Sequence, residues 1–423
     1  MILGMQRLTS FLIVMLMWTG LPGCGGGDGG PNAPAEGPPQ VAPQVSVAPP
    51  QNLGAVTLQP GDSSDEVFVD VGGSSFMLVA NGGNARDIDI HSVVDPSGTT
   101  LVTADRQDDD PIGGNRLNIA GGSAVAGLFP HTPAYSIQPG RYSFRVRNAG
   151  GFKTTINVSA IVKNGVNSSS GTLNVNLVFC GVPGLSASNA LLGEVLSSQK
   201  FLAGFNEFKR IFREAAHIEI AVLGRSDCSF AAQASVGFLG GDDFDLNGQA
   251  DELDRLFALH KQDMIGLGLS SNLPENALTF YIIPTIEPGL FEPSFGTTLG
   301  VSGGIPGPGF TPGTRHSGVA VSTLGAPALL PDELAKGLGR TMAHEAAHFL
   351  GLFHTTESDG LHDPISDTLD CPVGNNANGN DRLEFPECSS FDGDNLMFWD
   401  GRSSGIQLTD GQRLVLHRNP LIH

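Results

Sequence analysis

One stretch carries the spacing H-E-x-x-H-x-x-G-x-x-H, and it constrains this chain more than any other. In a helix, His344 and His348 lie on one face, four residues apart, so both imidazoles can reach a single small cation. Glu345 stands beside them, where a carboxylate can bind the metal's water without being a ligand. Gly351 can take the left-handed conformation that ends a helix, and the turn would bring His354 back as a third ligand. The pattern therefore predicts a helix, a turn and a three-histidine metal site.

The alternative is an amphipathic helix with surface histidines. Chance would produce the extended spacing in only about one chain in 10⁴, which favours the metal site. Three protein ligands plus a water describe an open, catalytic zinc site, whereas a structural site needs a fourth protein ligand. Only His362 follows at a spacing that could supply one. We therefore expect an enzyme, with a surface binding protein whose zinc is structural or inactive as the alternative.

The extended motif resembles that of the metzincin metalloproteases, which carry a methionine turn some distance after the third histidine. Asn395-Leu396-Met397 follows and fits that turn. Over roughly residues 172–423 the chain is similar to the pappalysin branch of these enzymes. The stretches that carry this likeness are His354-Thr355-Thr356-Glu357, Asp363 to Cys371, Cys388, the Asn-x-Met turn and Leu408-Thr409-Asp410-Gly411-Gln412.

The resemblance implies a zinc endopeptidase in which His344, His348 and His354 hold the ion. Glu345 would take a proton from the zinc-bound water as it attacks the scissile carbonyl, then pass it to the leaving amine. Met397 would form a packing floor under the metal. The partner would be a peptide or protein substrate, bound as an extra strand along an exposed sheet edge.

Trp399 departs from the family pattern, because relatives usually have tyrosine two positions after the turn methionine. Indole cannot supply a phenolic hydroxyl to the metal or to an oxyanion. We therefore expect zinc itself to stabilise the tetrahedral intermediate.

The first 23 residues predict a secretory signal peptide, because the apolar run Phe11 to Trp18 is too short to span a bilayer. The run ends in Leu21-Pro22-Gly23-Cys24, which resembles the lipobox of bacterial lipoproteins, where the cysteine is acylated. We expect a lipid anchor at Cys24 and a place at the bacterial cell envelope, at the outer membrane or cell surface. The alternative is an ordinary signal peptide cleaved near Gly23 and a secreted protein.

The chain is long enough for two further domains, and we predict a multidomain protein. Residues 24–51 are rich in Gly and Pro and predict a tether, and the formal charge of −20 argues against nucleic acid as a partner. Residues 52–165 predict an all-β sandwich that resembles the accessory domains of secreted peptidases, with His91 and His131 at its surface. The alternating runs that indicate it are Glu66 to Val71, Phe76 to Val79, Ile88 to His91 and Tyr142 to Arg147.

Residues 171–423 predict an α/β metzincin-like catalytic domain with a mixed sheet, an active-site helix and the methionine turn. Helical spacing covers Gln199 to Ala216. Strands are predicted at Leu173 to Cys180, His217 to Leu223, Leu278 to Pro284 and Gly318 to Ser322. Residues 287–316 are rich in Gly and Pro and predict a long irregular loop near the cleft.

Five cysteines leave an odd one in an exported protein, and assigning Cys24 to lipid leaves an even set of four. Pairing near neighbours gives Cys180 with Cys228 and Cys371 with Cys388. The pappalysin resemblance implies the second pair, which closes the segment before the methionine turn. Free buried thiols are the alternative.

An acidic stretch has the spacing of an EF-hand-like calcium loop with glycine at its sixth position. Its candidate ligands are Asp243, Asp245, Asn247, Gln249, Asp251 and Asp254. The alternative is an acidic turn that caps a helix. A later cluster, Asp363, Asp367 and Asp370, is equally compatible with calcium and with turn capping.

Overall fold

The computed structural model describes residues 45–83, 87–103, 123–228, 273–284, 286, 299–311, 313–314, 316–325, 327–358, 360–380, 382–400 and 405–423. The signal peptide, Cys24, most of the tether and the whole predicted calcium loop lie outside these residues. All described residues fall within one compact unit, Pro43–His423.

The N-terminal half contains two antiparallel sheets. The first sheet has the order β1-β9-β4-β7, with β2 also paired to β9, and the second has the order β3-β8-β5-β6. The strands are β1 Ser46–Val47, β2 Gln51–Leu58, β3 Val67–Val71, β4 Ser75–Asn81, β5 Ile88–Val94, β6 Thr100–Thr103, β7 Ala124–Phe129, β8 Gly140–Asn148 and β9 Thr154–Asn164. The four alternating runs noted in the sequence lie in β3, β4, β5 and β8.

The two sheets pack face to face around a shared apolar core. Phe76 of β4, Phe129 of β7 and Tyr142 of β8 meet there, with ring centroids 5.1 Å apart for Phe76 and Phe129 and 4.9 Å for Phe76 and Tyr142. Alternation along β8 explains its orientation, because Tyr142, Phe144 and Val146 are buried while the residues between them are more exposed. The surface position predicted for His131 is wrong: its side chain is buried and lies edge-on to Phe129.

The C-terminal half is built on a mixed five-stranded sheet with the order β11-β10-β12-β14-β13. Its strands are β10 Gly171–Phe179, β11 Ile218–Asp227, β12 Leu278–Ile283, β13 Gly300–Ser302 and β14 Val319–Ser322. All neighbours are parallel except β13 and β14. The edge strand β13 corrects the sequence prediction, which placed an irregular loop there. Three residues carry too little pattern to indicate a strand, and the pairing with β14 comes from residues about twenty positions away.

Helices cover one side of this sheet and supply its core. They are α1 Leu196–Ile211, α2 Asp332–Leu350, α3 Phe385–Cys388 and α4 Asp410–Arg418, with 3₁₀ turns at Pro327–Leu329 and Val373–Asn375. The predicted helix over Gln199 to Ala216 begins three residues earlier and ends in a wider π turn, Phe212–Ala216. Phe208 of α1 packs against Phe280 of β12, and α1 also packs against α2. Among the helices of the described ranges, none combines the length and hydrophobicity that crossing a bilayer requires.

Two disulfides tie loops to this half. Cys180, just after β10, is bonded to Cys228, just after β11. Cys371 is bonded to Cys388 at the end of α3. The second bond closes the segment that leads to the methionine turn, and both sulfur pairs are buried or nearly so.

Candidate metal centre

Helix α2 and the turn after it place the three motif histidines. Buried residues such as Met342 and Ala346 hold one face of α2 in the core, which turns His344 and His348 toward a common point. Gly351 ends the helix with φ +117°, and its N–H donates to the carbonyls of Ala347 and His348 at 3.1 and 2.9 Å. A left-handed residue of this kind reverses the chain direction.

The three imidazoles converge through their Nε2 atoms. The distances between the Nε2 atoms of His344, His348 and His354 are 3.1 Å for each of the three pairs. Their rings are steeply inclined in two of the pairs, at 89° for His344 and His348 and 73° for His348 and His354. Three ring nitrogens therefore form an equilateral triangle directed at one small volume.

Each histidine is anchored by its other ring nitrogen. The Nδ1 atoms of His344 and His348 lie 2.7 Å from the backbone carbonyl oxygens of Leu396 and Leu352. Nδ1 of His354 lies 2.7 Å from a carboxylate oxygen of Glu357. Carbonyl and carboxylate oxygens only accept, so each Nδ1 carries the proton and donates it. In a neutral ring this leaves every Nε2 with a lone pair that faces the others.

Three lone pairs 3.1 Å apart repel one another unless a cation lies among them. Protonation of His344 does not relieve this repulsion, because burial lowers the pKa of His344 well below its usual value. A positive charge on His348 or His354, and the charge of Arg340, would lower that pKa further. Neutral imidazoles with Nδ1–H donors held by acceptors are the form in which histidine binds metals.

The spacing of the three nitrogens fits zinc. Zinc–nitrogen bonds of about 2.0–2.1 Å in a tetrahedral arrangement place ligand nitrogens about 3.3–3.4 Å apart, close to the observed triangle. No fourth His, Cys, Asp or Glu joins the three histidines within the described residues. His362, the candidate for a fourth ligand, instead lies with its Nδ1 3.6 Å from Asp370. Among the described residues, the site therefore has three protein ligands and leaves a fourth coordination position for water or substrate.

Glu345 lies beside the histidine triangle and is itself buried. Burial raises the pKa of Glu345 to about 8, and a hydrogen bond from the backbone N–H of Ser302 opposes that rise. A nearby cation favours the ionised form of a carboxylate, so a bound metal would lower this pKa. The edge strand fits closely around the side chain, since a Cβ at Gly300 would lie only 2.6 Å from Cγ of Glu345.

The methionine turn is held by a pair of buried side-chain amides. Nδ2 of Asn395 donates to Oε1 of Gln412 at 2.8 Å, and Nε2 of Gln412 donates back to Oδ1 of Asn395 at 3.2 Å. The same Oδ1 accepts the backbone N–H of Met397 at 2.8 Å. Met397 is fully buried in the core. Since Leu396 in this turn supplies the acceptor for His344, the amide pair stabilises one histidine ligand.

The segment after His354 is fixed to the same turn. The backbone N–H of Thr355 donates to the carbonyl of Met397 at 3.0 Å, and its hydroxyl donates to the buried carboxylate of Asp392 at 2.6 Å. Trp399 is also engaged in structure, because its indole N–H donates to the carbonyl of Leu383 at 2.6 Å.

The later acidic cluster contains two turn-capping residues. Asp363 accepts from the hydroxyl of Thr368 and from the N–H of Ile365 at 2.7 and 3.0 Å. Asp367 accepts from the hydroxyl of Thr409 and the N–H of Gly411, both at 2.8 Å, and so braces the start of α4. These contacts are what capping requires.

The structure shows four residues around the centre whose roles sequence reasoning missed: Glu357, Leu352, Leu396 and Gln412. Glu357 had a local signal, because an acid three residues after a ligand can reach its Nδ1. The carbonyls of Leu352 and Leu396 and the amide of Gln412 had none, since their roles depend on backbone direction and on contacts distant in the chain.

No protein-family model matches the chain, and no curated protein matches it. Among solved structures, archaemetzincin from Archaeoglobus fulgidus is similar at 16% identity, over 43% of this chain and 80% of that chain, with a TM-score of 0.21. Metalloproteinase-II from Bacteroides fragilis is similar at 14% identity, over 48% of this chain and 51% of that one, with a TM-score of 0.25. A family two carbohydrate esterase from Cellvibrio japonicus matches at 9% identity, over 56% and 79%, with a TM-score of 0.15. Superpositions this weak do not establish a shared fold, so the function proposed below rests on the geometry of the site.

Proposed function

We propose that this protein is a zinc-dependent metalloendopeptidase. One observation carries the proposal: the Nε2 atoms of His344, His348 and His354 lie 3.1 Å apart while each Nδ1 faces an acceptor. Zinc bound there would act as a Lewis acid and make water acidic enough to attack at neutral pH.

Glu345 is the candidate general base. It is one residue from a ligand and buried beside the triangle, yet it is not part of the three-histidine group. A carboxylate whose environment pushes its pKa upward can accept a proton from the attacking water and deliver it to the leaving amine. We expect the backbone N–H of Ser302 to hold its orientation during this exchange.

Substrate binding is proposed at strand β13. This strand is at the edge of the mixed sheet, and a Cβ added at its Gly300 would lie 2.6 Å from Cγ of Glu345 and 2.8 Å from Cγ2 of Thr341 on α2. An extended peptide paired with such an edge would place its backbone next to the histidine triangle, with main-chain hydrogen bonds supplying affinity.

Within zinc peptidases we infer a pappalysin-like enzyme. The Asn395-x-Met397 turn, its partner Gln412 and the bond between Cys371 and Cys388 support that assignment. Anchoring at the cell envelope through Cys24 belongs to the same proposal and rests on the sequence near the N-terminus.

The test compares cleavage of a mixed peptide library by the wild type and by Glu345→Ala, read by mass spectrometry. Glu333→Ala, an exposed acid on the same helix, is the matched control. We expect the wild type and the control to cut the library, and Glu345→Ala to retain its zinc and cut nothing. Equal product profiles for the wild type and Glu345→Ala would remove the peptidase assignment.

A binding protein with structural zinc is the remaining alternative. It predicts zinc in the purified wild type together with no cleavage by any variant. The open donor set among the described residues speaks against it.

A further inference from the structure

The outer face of the first N-terminal sheet is buried against the half that carries the metal centre. Met77, Val79, Ala126 and Ile161 on this face form a buried cluster to which Phe310 of the other half packs. The inner face of the same strands fills the core between the two sheets. Residues of both halves therefore contribute to the packing on the two faces of this sheet.

One residue of this sheet reaches the metal-binding motif directly. Leu128 of β7 is fully buried and belongs to the core of the C-terminal half. A Cβ added at Gly351 would lie 3.2 Å from Cδ2 of Leu128. The sheet therefore packs against the turn that separates His348 from His354.

Lys163, at the end of β9, forms a polar link between the two halves. Its side chain is 1% exposed, and Nζ donates to the carbonyl oxygens of His417, Asn419 and Ile422 at 2.5, 3.1 and 2.5 Å. An ammonium group has three donors, and all three are used. These carbonyls lie in the last turn of α4 and just after it, where a cation opposes the negative end of the helix dipole.

Further bonds tie the same segment to the first half. The hydroxyl of Ser75 donates to the carbonyl of Arg418 at 2.6 Å. The guanidinium of Arg418 donates to the carbonyls of Thr132 and Tyr135 at 2.7 and 3.3 Å. The last residues of the described chain are thus held to the first half by several hydrogen bonds.

This C-terminal segment in turn holds the metal centre. Nδ2 of Asn419 donates to the carbonyl of Leu350 at 3.1 Å, and Leu350 is the last residue of α2. At the other end of α4, Gln412 holds Asn395 and so the methionine turn. Two hydrogen bonds, from Lys163 to Asn419 and from Asn419 to Leu350, connect the N-terminal half to the end of the metal helix.

We propose that Lys163 is a positioning residue for the metal centre: its ammonium fixes the C-terminal segment, and Asn419 transmits that constraint to the turn between His348 and His354. The N-terminal half then forms part of the support of the site. The zinc identity rests on the function proposed above, whereas the mechanical link from Lys163 to the turn does not.

The test uses the full chain with Lys163→Met, which removes the Nζ donors and replaces the rest of the side chain with an unbranched apolar one of similar length. Lys153→Met changes an exposed lysine of the same half and is the first control. Val102→Ala, in the core on the far sheet, is a destabilised control that touches neither the C-terminal segment nor the metal motif. Comparing it with Lys163→Met separates a local effect from a general loss of stability.

Hydrogen exchange in the metal-free proteins reports on the turn without any activity. We expect the amides of Gly351 and Leu352 to exchange at least about 10-fold faster in Lys163→Met, and at the wild-type rate in both controls. Zinc affinity, measured against a competing chelator, should fall about 10-fold in Lys163→Met alone, as for groups that orient ligands indirectly.

A second variant covers the case in which Lys163→Met does not fold. Asn419→Ala leaves the carbonyl acceptors of Lys163 in place and removes the side-chain link to Leu350, together with the bond that Oδ1 of Asn419 accepts from the N–H of Leu421. It should therefore reproduce the faster exchange. The two substitutions together should add little to the larger single effect, because they interrupt one path.

Wild-type exchange at Gly351 in both variants, or equal acceleration in Val102→Ala, would overturn the proposal for Lys163. Failure of the wild type to cleave peptides would instead remove the proposed peptidase and leave the exchange result standing. The two proposals can therefore fail separately.

Discussion

The amide pair under the methionine turn yields a quantitative prediction for Asn395→Ala. The substitution removes the two hydrogen bonds between Asn395 and Gln412, at 2.8 and 3.2 Å, and the bond from the N–H of Met397, at 2.8 Å. Gln412 is fully buried and Asn395 is 8% exposed, so water cannot replace these partners without rearrangement.

The expected cost follows from the donors left behind. Nε2 of Gln412 and the N–H of Met397 would each lose their partner in a buried place, whereas Oε1 of Gln412 keeps the N–H of Thr409. A buried donor without a partner costs about 1–3 kcal/mol, so the free energy of unfolding should fall by about 2–6 kcal/mol. That is a large share of the stability of a typical domain.

Chemical denaturation of the metal-free proteins measures this without a contribution from metal binding. Gln412→Leu and the double variant complete a double-mutant cycle, and exposed Asn380→Ala is the control, with an expected change within about 0.5 kcal/mol. The double variant should be less destabilised than the sum of the single ones by about 1–3 kcal/mol, because each change alone leaves the other amide unsatisfied. Additive effects, or a cost for Asn395→Ala below about 1 kcal/mol, would refute the role of the pair.

Three further predictions concern the motif and its neighbours. Gly300→Ala would place a Cβ 2.6 Å from Cγ of Glu345, so peptide hydrolysis should fall about 100-fold with zinc content unchanged. The control is Gly337→Ala on α2, where a Cβ meets nothing within 4 Å, and this variant should retain full activity. In Gly351→Ala, the alanine must adopt φ +117° with its Cβ close to Leu128. Thermal denaturation should therefore show a free energy of unfolding lower by about 1–2 kcal/mol or more, and metal titration should show a weaker zinc affinity. Wild-type values for both quantities would contradict this prediction. The pKa of Glu345 is raised from 4.5 to about 8, so the metal-free folded protein retains a proton that the unfolded chain releases. The contribution of this group to the free energy of unfolding should be greatest below pH 4.5 and should fall by up to about 4 kcal/mol as the pH rises to 8. Glu345→Gln, measured by the same denaturation series, should lack that decline, and parallel pH profiles for the two proteins would count against the buried carboxylate.

The local part of the site could be predicted from the sequence because helix geometry is local. The spacing of His344, His348 and Gly351 specifies a face and a turn without knowledge of the rest of the chain. The acceptor at Leu396 could not be predicted, because it depends on a carbonyl that the fold brings from more than fifty residues away.

The packing of the N-terminal half against the C-terminal half could also be predicted in part from the sequence. Strands that alternate between a buried and a solvent-exposed face predict a separate sandwich, and the sequence prediction groups Phe76 to Val79 with such strands. Phe76 to Ala80 and Ala124 to Phe129 are instead continuous apolar runs. Such runs indicate strands buried on both faces, which the structure shows for β4 and β7. Lys163 carried no signal, because a lysine at the end of a strand is ordinarily exposed and its acceptors are backbone atoms.

Strand β13 shows the limit of pattern reasoning. Gly300, Val301 and Ser302 have neither the length nor the alternation of a strand, and their Gly and Pro surroundings are typical of a loop. Pairing with β14 overrides that local preference.

The claim that three histidines share one ion is tested most directly by metal analysis of the purified protein. Elemental mass spectrometry should find one zinc per chain in the wild type and in His362→Ala, and a large loss of zinc in His354→Ala. A wild-type protein without zinc, or one that keeps its zinc after His354→Ala, would contradict the account.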